Sequence, residues 1–321
     1  MKIYKKEDFN YVVSSITGFT DQSSQEIMAK ILIGGTTAAN TTNVFGIKGT
    51  QQLQLLNSTP AFQPGLCGFS ASGTTTFTQR SITVQQEKIA EELCPTDLYS
   101  TYQSLLLQPG EPEESVPFEN KILELKSKQI NQRVETKLWQ ATVAGGDAFD
   151  GFAKLISTGT TGVGNSSGTT FSATAAYGTA GNPITEVDKL INALSDDALV
   201  LDSLICWMSF ANFRLYLQAM TKANFFQNYI GSSSVTSNME AIHPNTNVKV
   251  VPTLGLAGSN QVVIGSKDLM VTGFDLLSDM DNINLWYSKD FDVIKLLARY
   301  AYGAQIVTWD ATKYFATNNL A

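Results

Sequence analysis

The sequence predicts an α+β fold from three observations. Pro117–Ala141 has the periodicity of one long helix. Residues 185–279 contain amphipathic helices interspersed with apolar strand candidates. Near the end, Ile283–Tyr287 and Ile294–Tyr302 alternate apolar and polar side chains around a short polar turn, as an antiparallel hairpin does. A long helix, a mixed region and a closing hairpin are together typical of an α+β protein.

Composition excludes several classes of protein. The 321 residues are 43% apolar and 16% charged, which is typical of a globular chain with room for about two domains. The net charge is -7 and the lysines and arginines are scattered, which argues against a basic nucleic-acid footprint. No signal peptide is visible, and the longest apolar stretch, Ala198–Phe210, is too short for a membrane span. We therefore expect a soluble protein with no membrane partner.

The N-terminal part predicts little structure of its own. Asp21–Ile33 carries spaced isoleucines and is followed by two glycines, which favours a short helix. The polar run Thr36–Asn43 is interpreted as a linker. Pro60 and Pro64 exclude a continuous helix after it. We interpret this part as an extended arm.

The next segment, Pro64–Lys88, predicts a two-stranded ribbon. Glycines and three consecutive threonines lead into an alternation at Phe77, Ile82 and Val84. No clear buried face results, so the ribbon should project from the body of the protein. An ordinary surface hairpin is the alternative interpretation.

The long helix should present one apolar face. Its positions Leu123, Ile130, Val134 and Leu138 are spaced by helical turns, whereas Glu135 belongs to a polar face that we expect to be solvated. At about 1.5 Å per residue such a helix is about 37 Å long. A helical turn is also expected upstream, at Asp97–Leu107.

A second structured region follows the Gly- and Thr-rich run Ser157–Asn182, which we interpret as a flexible loop. Thr185 with Asp188 resembles a capping pair for the next helix. Ser203–Met208 predicts a buried strand, with Ser209 as the N-cap of a helix after it. Further strands are expected at the following positions: Val248–Val251 and Gln261–Ile264.

Candidate catalytic residues are few. His243, the one histidine, lies in a polar sequence before a proline, and we expect it to face solvent without a catalytic role. Gly159–Ser166 has nearly the spacing of a phosphate loop, but Asn165 stands where the lysine is required. The Gly68–Gly73 run lacks the spacing of a nucleophile elbow. No enzyme is predicted.

Metal and disulfide sites are equally weak. Asp279, Asp281 and Asn284 could ligate calcium, but the glycine and distal glutamate of a calcium loop are missing. The cysteines are three in number and have no C-x-x-C spacing, so we expect reduced thiols rather than a disulfide framework or a zinc site. No cofactor or metal is predicted.

Several short motifs follow one another along the chain in a characteristic order. They are Cys67-Gly68-Phe69 through Phe77-Thr78-Gln79-Arg80, Leu93-Cys94-Pro95 and Leu98, Val116-Pro117-Phe118 through Leu138-Trp139, Phe149-Asp150-Gly151-Phe152, Gly273-Phe274-Asp275-Leu276-Leu277-Ser278-Asp279 and Trp286-Tyr287. These motifs and the order of the parts resemble tailed-bacteriophage major capsid proteins of the Hong Kong 97-type fold. The resemblance covers most of the chain.

The resemblance implies a division of the chain. Residues 1–59 would be the N-terminal arm and 60–92 the extended loop (E-loop). The peripheral (P) domain, with its long spine helix, would take 93–184 and 280–321, and the axial (A) domain 185–279. Contacts between subunits are then expected at Phe69, Phe77, Arg80, Ile82 and Val84, and the spine-helix core at Leu123, Ile130, Val134 and Leu138.

The same resemblance implies a function in the virion. Copies of the chain, assembling in the bacterial cytoplasm as hexamers and pentamers, would form the icosahedral head shell around double-stranded DNA without sequence-specific binding. Portal and scaffold proteins, and a possible cement protein, would be partners. An encapsulin-like compartment shell and a tail-tube subunit remain the alternatives.

Two departures from the family pattern bear on assembly. Pro60–Glu87 contains no lysine, so we expect no covalent cross-link through this loop. The residues before Phe45 are too few for a fused scaffold domain, so we expect a separate scaffold protein.

Overall fold

The computed structural model describes residues 35–65, 67, 71–94, 118–157, 164–165, 169–172, 174–200, 203–223, 240–244, 246–275, 283–288, 290–291, 293–308 and 314–318. Four predicted features lie outside these residues: the helix Asp21–Ile33, the turn Asp97–Leu107, and the candidate ligands Asp279 and Asp281.

Short helices and strands make up most of the described chain. In order they are α1 (Thr36–Ala39), β1 (Thr42–Phe45), β2 (Thr50–Pro60), β3 (Gly73–Thr83), β4 (Gln85–Leu93), α2 (Phe118–Gln140), α3 (Phe152–Ser157), β5 (Gly164–Asn165), α4 (Pro183–Asn192), α5 (Asp196–Leu199), β6 (Leu204–Met208), α6 (Phe210–Lys222), β7 (Ala241–Ile242), β8 (Lys249–Pro252), β9 (Val263–Ser266), β10 (Met270–Phe274), β11 (Ile283–Ser288), β12 (Val293–Ile306) and β13 (Phe315–Thr317). Three 3-10 turns lie at Val143–Gly145, Leu254–Leu256 and Lys267–Leu269.

The chain divides into two compact units. The first contains Met1–Leu32, Gln86–Ile130 and Asp275–Ala301. The second contains Ile33–Gln85, Asn131–Phe274 and Tyr302–Ala321. Helix α2 and strand β12 each contribute residues to both units.

The closing hairpin of the first unit is confirmed. Strands β11 and β12 pair antiparallel, from Ile283 opposite Ala298 to Ser288 opposite Val293. Strand β4 also pairs with β12. Alternation of apolar and polar side chains predicts this hairpin, because buried residues alternate with more exposed ones from Val293 to Tyr300.

A six-stranded mixed sheet forms the core of the second unit, in the order β5-β13-β9-β6-β8-β7. Strand β6 lies inside it, parallel to β8 and antiparallel to β9, and all its residues are buried. Ser209 then caps α6, since its Oγ accepts a hydrogen bond from the Asn212 backbone N at 3.3 Å. The strand, cap and helix predicted here are confirmed.

Helix α4 begins at a different residue from the predicted one. Asn182 is the N-cap, and its Oδ1 accepts from the backbone N atoms of Ile184 at 3.1 Å and Thr185 at 3.2 Å. The Thr185 capping prediction is therefore wrong: Pro183 already occupies the first turn. The preceding run, Ser157–Asn182, is predicted as a flexible loop. A backbone hydrogen bond fixes part of it, since Ser172 N donates to the Gly181 carbonyl at 2.8 Å.

The interpretation of Thr36–Asn43 as a linker is also wrong. Its first half is α1, and its second half enters β1, which pairs in parallel with β10. The reason is a buried acceptor on α2: Glu135 is 2% exposed, not solvated as expected. Its carboxylate accepts from Thr37 N at 3.1 Å and from Thr253 Oγ1 at 2.6 Å. Threonine hydroxyls and backbone N–H groups replace water around this charge.

The long helix closely matches its predicted bounds. Within α2, the side chains of Ile130, Val134 and Leu138 are buried, and that of Leu123 lies outside the described residues. Trp139 is fully buried, with its ring 5.7 Å from Phe152 and 5.9 Å from Trp207 between centroids. One face of α2 therefore carries a large aromatic contact.

The three cysteines are free thiols, with Cys67 and Cys94 exposed and Cys206 buried in β6. Burial raises the pKa of the Cys206 thiol far above its usual range, so this side chain stays protonated. It behaves as a small apolar residue of the sheet.

Candidate assembly surface

Strands β2 and β3 form a two-stranded antiparallel ribbon. Pairing runs from Thr50 opposite Thr83 to Pro60 opposite Gly73. At about 3.4 Å per residue, strands of this length extend about 34 Å. The ribbon is a sheet of its own.

The ribbon begins earlier than the predicted Pro64–Lys88. Its first strand is Thr50–Pro60, which lies within the predicted arm, and Lys88 lies in β4 instead. Pro60 ends a strand here rather than preceding one, because proline cannot continue a hydrogen-bonded ladder. The E-loop boundary at residue 60 would therefore fall at the end of β2.

The base of the ribbon is fixed by backbone and packing. Val84 N donates to the Gly49 carbonyl at 2.9 Å. Gly49 has a φ of 76°, a conformation that favours glycine. Ile47 and Ile82 are both fully buried beside Gly273, where a Cβ would overlap their side-chain ends. The base therefore cannot shift without disturbing the core of the second unit.

Two side chains join the ribbon base to β12. The Arg80 guanidinium Nη1 donates to the Ile306 carbonyl at 3.0 Å. Gln305 Nε2 donates to the Ser81 carbonyl at 2.7 Å. Burial lowers the pKa of Arg80 from its usual value, although the side chain remains charged.

The predicted contact residues differ in their burial. Ile82 is 0% exposed and Val84 6% exposed, so their side chains pack within their own subunit, and their assignment to contacts between subunits stays a prediction. Arg80 is half-buried and binds its own chain. Phe77 is exposed on β3, and Phe69 lies outside the described residues.

Leu56 is the surface residue that sequence reasoning missed. It lies directly opposite Phe77 in the ribbon register. Leu56 is 61% exposed and Phe77 is 77% exposed. Directly opposed residues of an antiparallel pair project from the same face, so the two form one exposed apolar pair. The sequence signal was the alternating Gln and Leu residues before Leu56.

From Thr50 to Ser58, the other residues of that face and their partners on β3 are polar. The hydroxyls of Ser58 and Thr75 lie 3.1 Å apart, as do those of Thr50 and Thr83. No charged residue occurs from Thr50 to Gln79. The ribbon from Thr50 to Gln79 is therefore uncharged, and two of its hydroxyl pairs are hydrogen-bonded across the strands.

The histidine is buried rather than solvent-facing, which corrects the sequence expectation. His243 Nδ1 lies 2.8 Å from Tyr216 Oη, and Nε2 lies 2.8 Å from Asp188 Oδ1. An ionised carboxylate only accepts, so Nε2 carries hydrogen and donates to Asp188, while Nδ1 shares a hydrogen bond with the Tyr216 hydroxyl. These contacts join α4, α6 and the loop after β7. These contacts give His243 a structural role within the second unit.

The described residues show no further chemical centre. They contain no group of three or more metal-ligating side chains. Among them, no helix has the length and apolar character that a membrane crossing requires.

Comparisons with known proteins identify the fold. A chain from Microbacterium phage Oxtober96 is similar with a TM-score of 0.57 and 10% identity, covering 88% of this chain and 90% of that one. A chain of the satellite phage P4 procapsid including size determination (Sid) protein gives 0.56 and 8%, with 97% of each chain covered. The capsid of an empty GTA particle gives 0.52 and 9%, with 88% of each covered.

The chain has the Hong Kong 97-type capsid fold. The fold that this resemblance implies is thereby confirmed. Sequence comparison finds no matching family model and no matching curated protein. The fold is therefore recognised through the arrangement of α2, the sheets and the ribbon rather than through residue identity.

Proposed function

We propose that this chain is the major capsid protein of a tailed phage, which self-assembles into the icosahedral head shell around double-stranded DNA. The observation that carries the proposal is the exposed ribbon β2–β3 on a Hong Kong 97-type subunit. A two-stranded hairpin is marginally stable alone, and its open strand edges favour association. Covering the ribbon in a shell would stabilise both it and the assembly.

In this proposal the subunit acts structurally, not as an enzyme. Copies arranged as hexamers and pentamers would bury many modest contacts along ribbons and arms. The N-terminal arm would be 1–59 and the extended loop 60–92, with the last strand of the arm, β2, paired to the loop strand β3. The P domain would be 93–184 with 280–321, and the A domain 185–279.

The proposed partners follow from the shell. The net charge of -7 would let enclosed DNA move without adhering to the protein. Portal and scaffold proteins would participate in assembly in the host cytoplasm, and a cement protein could bind the finished virion. The missing lysine in Pro60–Glu87 supports a shell held by non-covalent contacts at this loop.

Electron microscopy of the purified full chain tests this function. We expect closed icosahedral shells, alone or with a co-expressed scaffold protein. Open tubes or stacked rings would support a tail-tube subunit instead. Shells that copurify with a protein cargo and without DNA from infected cells would support a compartment. Denaturing gels should show monomer only; a ladder of covalent multimers would refute the non-covalent loop.

A further inference from the structure

We propose that Leu56 and Phe77 form the anchor by which the ribbon docks onto a second copy of this chain, through a contact that uses no charged side chain. The inference rests on the proposed shell function and goes beyond it. It selects one face of the ribbon and one cross-strand pair. It also predicts how assembly responds to salt.

Ribbon geometry identifies the docking face. Leu56 and Phe77 are opposite each other, so they project together from one face. Leu53 and Leu55 lie on the other face with Ile82, and both are half-buried. The subunit therefore partly covers the leucines of one face and leaves the large pair on the other face exposed.

The pair stands out from its surroundings. Its neighbours on the same face are the paired Gln54 and Gln79 on one side and the hydrogen-bonded Ser58 and Thr75 on the other. Leu56 and Phe77 are in contact with water at the middle of a polar ribbon. Covering these two apolar side chains lowers the free energy. The polar pairs on either side can hydrogen-bond to water, so covering them contributes little. The anchor should thus be local.

Charge favours a second copy as the partner. Each copy has a net charge of -7, so copies repel one another over most of their surface. From Thr50 to Gln79 the ribbon has no charged residue, so this segment can approach another acidic subunit without that repulsion. A strongly basic or acidic partner would find no complementary charge here.

The fold provides the second reason for this partner. Structures with this fold include a procapsid and a capsid, in which protein shells are assembled. Residues 1–34 of the same chain and a separate cement protein are the competing occupants. The test must distinguish both from a second copy.

The main experiment compares two double variants of the full chain. Leu56→Thr with Phe77→Thr removes the apolar pair and keeps residues that suit a strand. Gln54→Thr with Gln79→Thr is the control, since it changes the adjacent cross-strand pair of the same face. Circular dichroism and thermal melting should show the same folded subunit for both.

Assembly is measured by sedimentation as a function of protein concentration. We expect the Leu56/Phe77 variant to need a concentration at least about tenfold higher for shells, because two large apolar contacts are lost at every ribbon. The control should assemble like the unsubstituted chain. Raising salt from about 0.05 to about 0.5 M should not weaken unsubstituted assembly, since screening acts on charges. Equal assembly of the two variants, or shells that dissociate in high salt, would overturn the anchor.

A photo-cross-linker at position 77 identifies the occupant. Phe77→p-benzoylphenylalanine should give an adduct of two copies in assembled particles and none in dissociated subunits. An adduct within one chain to residues 1–34, or to a different protein, would overturn the second-copy assignment. Failure of the unsubstituted chain to form shells would refute the proposed function and this inference together; shells that ignore the Leu56/Phe77 change refute the inference alone.

Discussion

Glu135 of the long helix accepts a hydrogen bond from the backbone N of Thr37 at 3.1 Å, although 98 residues separate them in the sequence. The same carboxylate accepts from Thr36 Oγ1 at 2.8 Å and from Thr253 Oγ1 at 2.6 Å. Trp139 Nε1 donates to Thr37 Oγ1 at 2.6 Å. Three distant segments of the second unit therefore meet at one buried charge.

Glu135→Ala should strongly destabilise the subunit. The buried hydroxyls and the Thr37 N–H would lose their acceptor, which should cost about 3 kcal/mol of unfolding free energy. Urea unfolding followed by circular dichroism measures this. Gln132→Ala, at an exposed position of the same helix, is the matched control and should cost less than about 0.5 kcal/mol. Equal loss in both variants would contradict a buried carboxylate junction.

Glu186 should make stability depend on acid pH. Burial acts to raise the pKa of this carboxyl, but hydrogen bonds from Lys189, Gly181 N and Thr169 N outweigh it, and the net pKa is lowered from its usual 4.5. A carboxyl whose pKa is lower in the folded state binds fewer protons there than in the unfolded chain. Its stabilisation is thus fully present above about pH 4.5 and is lost as pH falls through the folded pKa.

Glu186→Gln tests that sign. The unfolding free energy of the unsubstituted chain should exceed that of the variant at pH 7, and the difference should shrink as pH drops below about 4.5. Chemical denaturation at a series of pH values gives this difference. A difference that stays constant or grows in acid would show that the Glu186 charge does not stabilise the fold.

Gly303 and Gly273 should respond differently to a methyl group. A Cβ at Gly303 would overlap the Thr83 backbone carbonyl, whereas one at Gly273 would meet only the side-chain ends of Ile47 and Ile82. The Thr83 backbone can move aside less readily than the terminal methyl group of an isoleucine. Gly303→Ala should cost about 3 kcal/mol and Gly273→Ala about 1 kcal/mol, by thermal or urea unfolding. If Gly273→Ala cost more unfolding free energy than Gly303→Ala, the close packing of the Thr83 backbone against Gly303 would be contradicted.

Shortening the ribbon should separate folding from assembly. Replacing residues 54–79 by Asn-Gly joins the paired Leu53 and Arg80 through a tight two-residue turn and keeps the buried base. The subunit should melt within a few degrees of the full chain, because Ile47 and Ile82 keep their contacts. Sedimentation and microscopy should find no stable shells. Normal shells from this variant would refute the ribbon as an assembly element.

The sequence predicted those elements whose own side chains determine them. Helix α2, the β6 strand with its Ser209 cap, and the β11–β12 hairpin have strong periodicity and local capping, so their existence follows from nearby residues. Leu138 lies at a regular helical interval and is buried, as that periodicity requires. Local chemistry was enough for these parts.

Features decided by distant residues could not be predicted in the same way. Thr36–Ala39 is a weak helix by sequence, and Glu135 and Thr253 hold it in place. His243 is buried because Asp188 and Tyr216 satisfy both ring nitrogens across other elements. Leu56 is recognised as part of an exposed apolar pair only from the strand register, which places Phe77 opposite it. Contacts between residues that are far apart in the sequence produce no local periodicity from which they could be predicted.

A cryo-electron microscopy map of the assembled particle would show where the ribbon lies. We predict a closed icosahedral shell in which β2–β3 lies across a neighbouring subunit, with Leu56 and Phe77 in contact with that neighbour. An open tube, or a shell in which the ribbon contacts only its own subunit or projects into solvent, would contradict the proposed role.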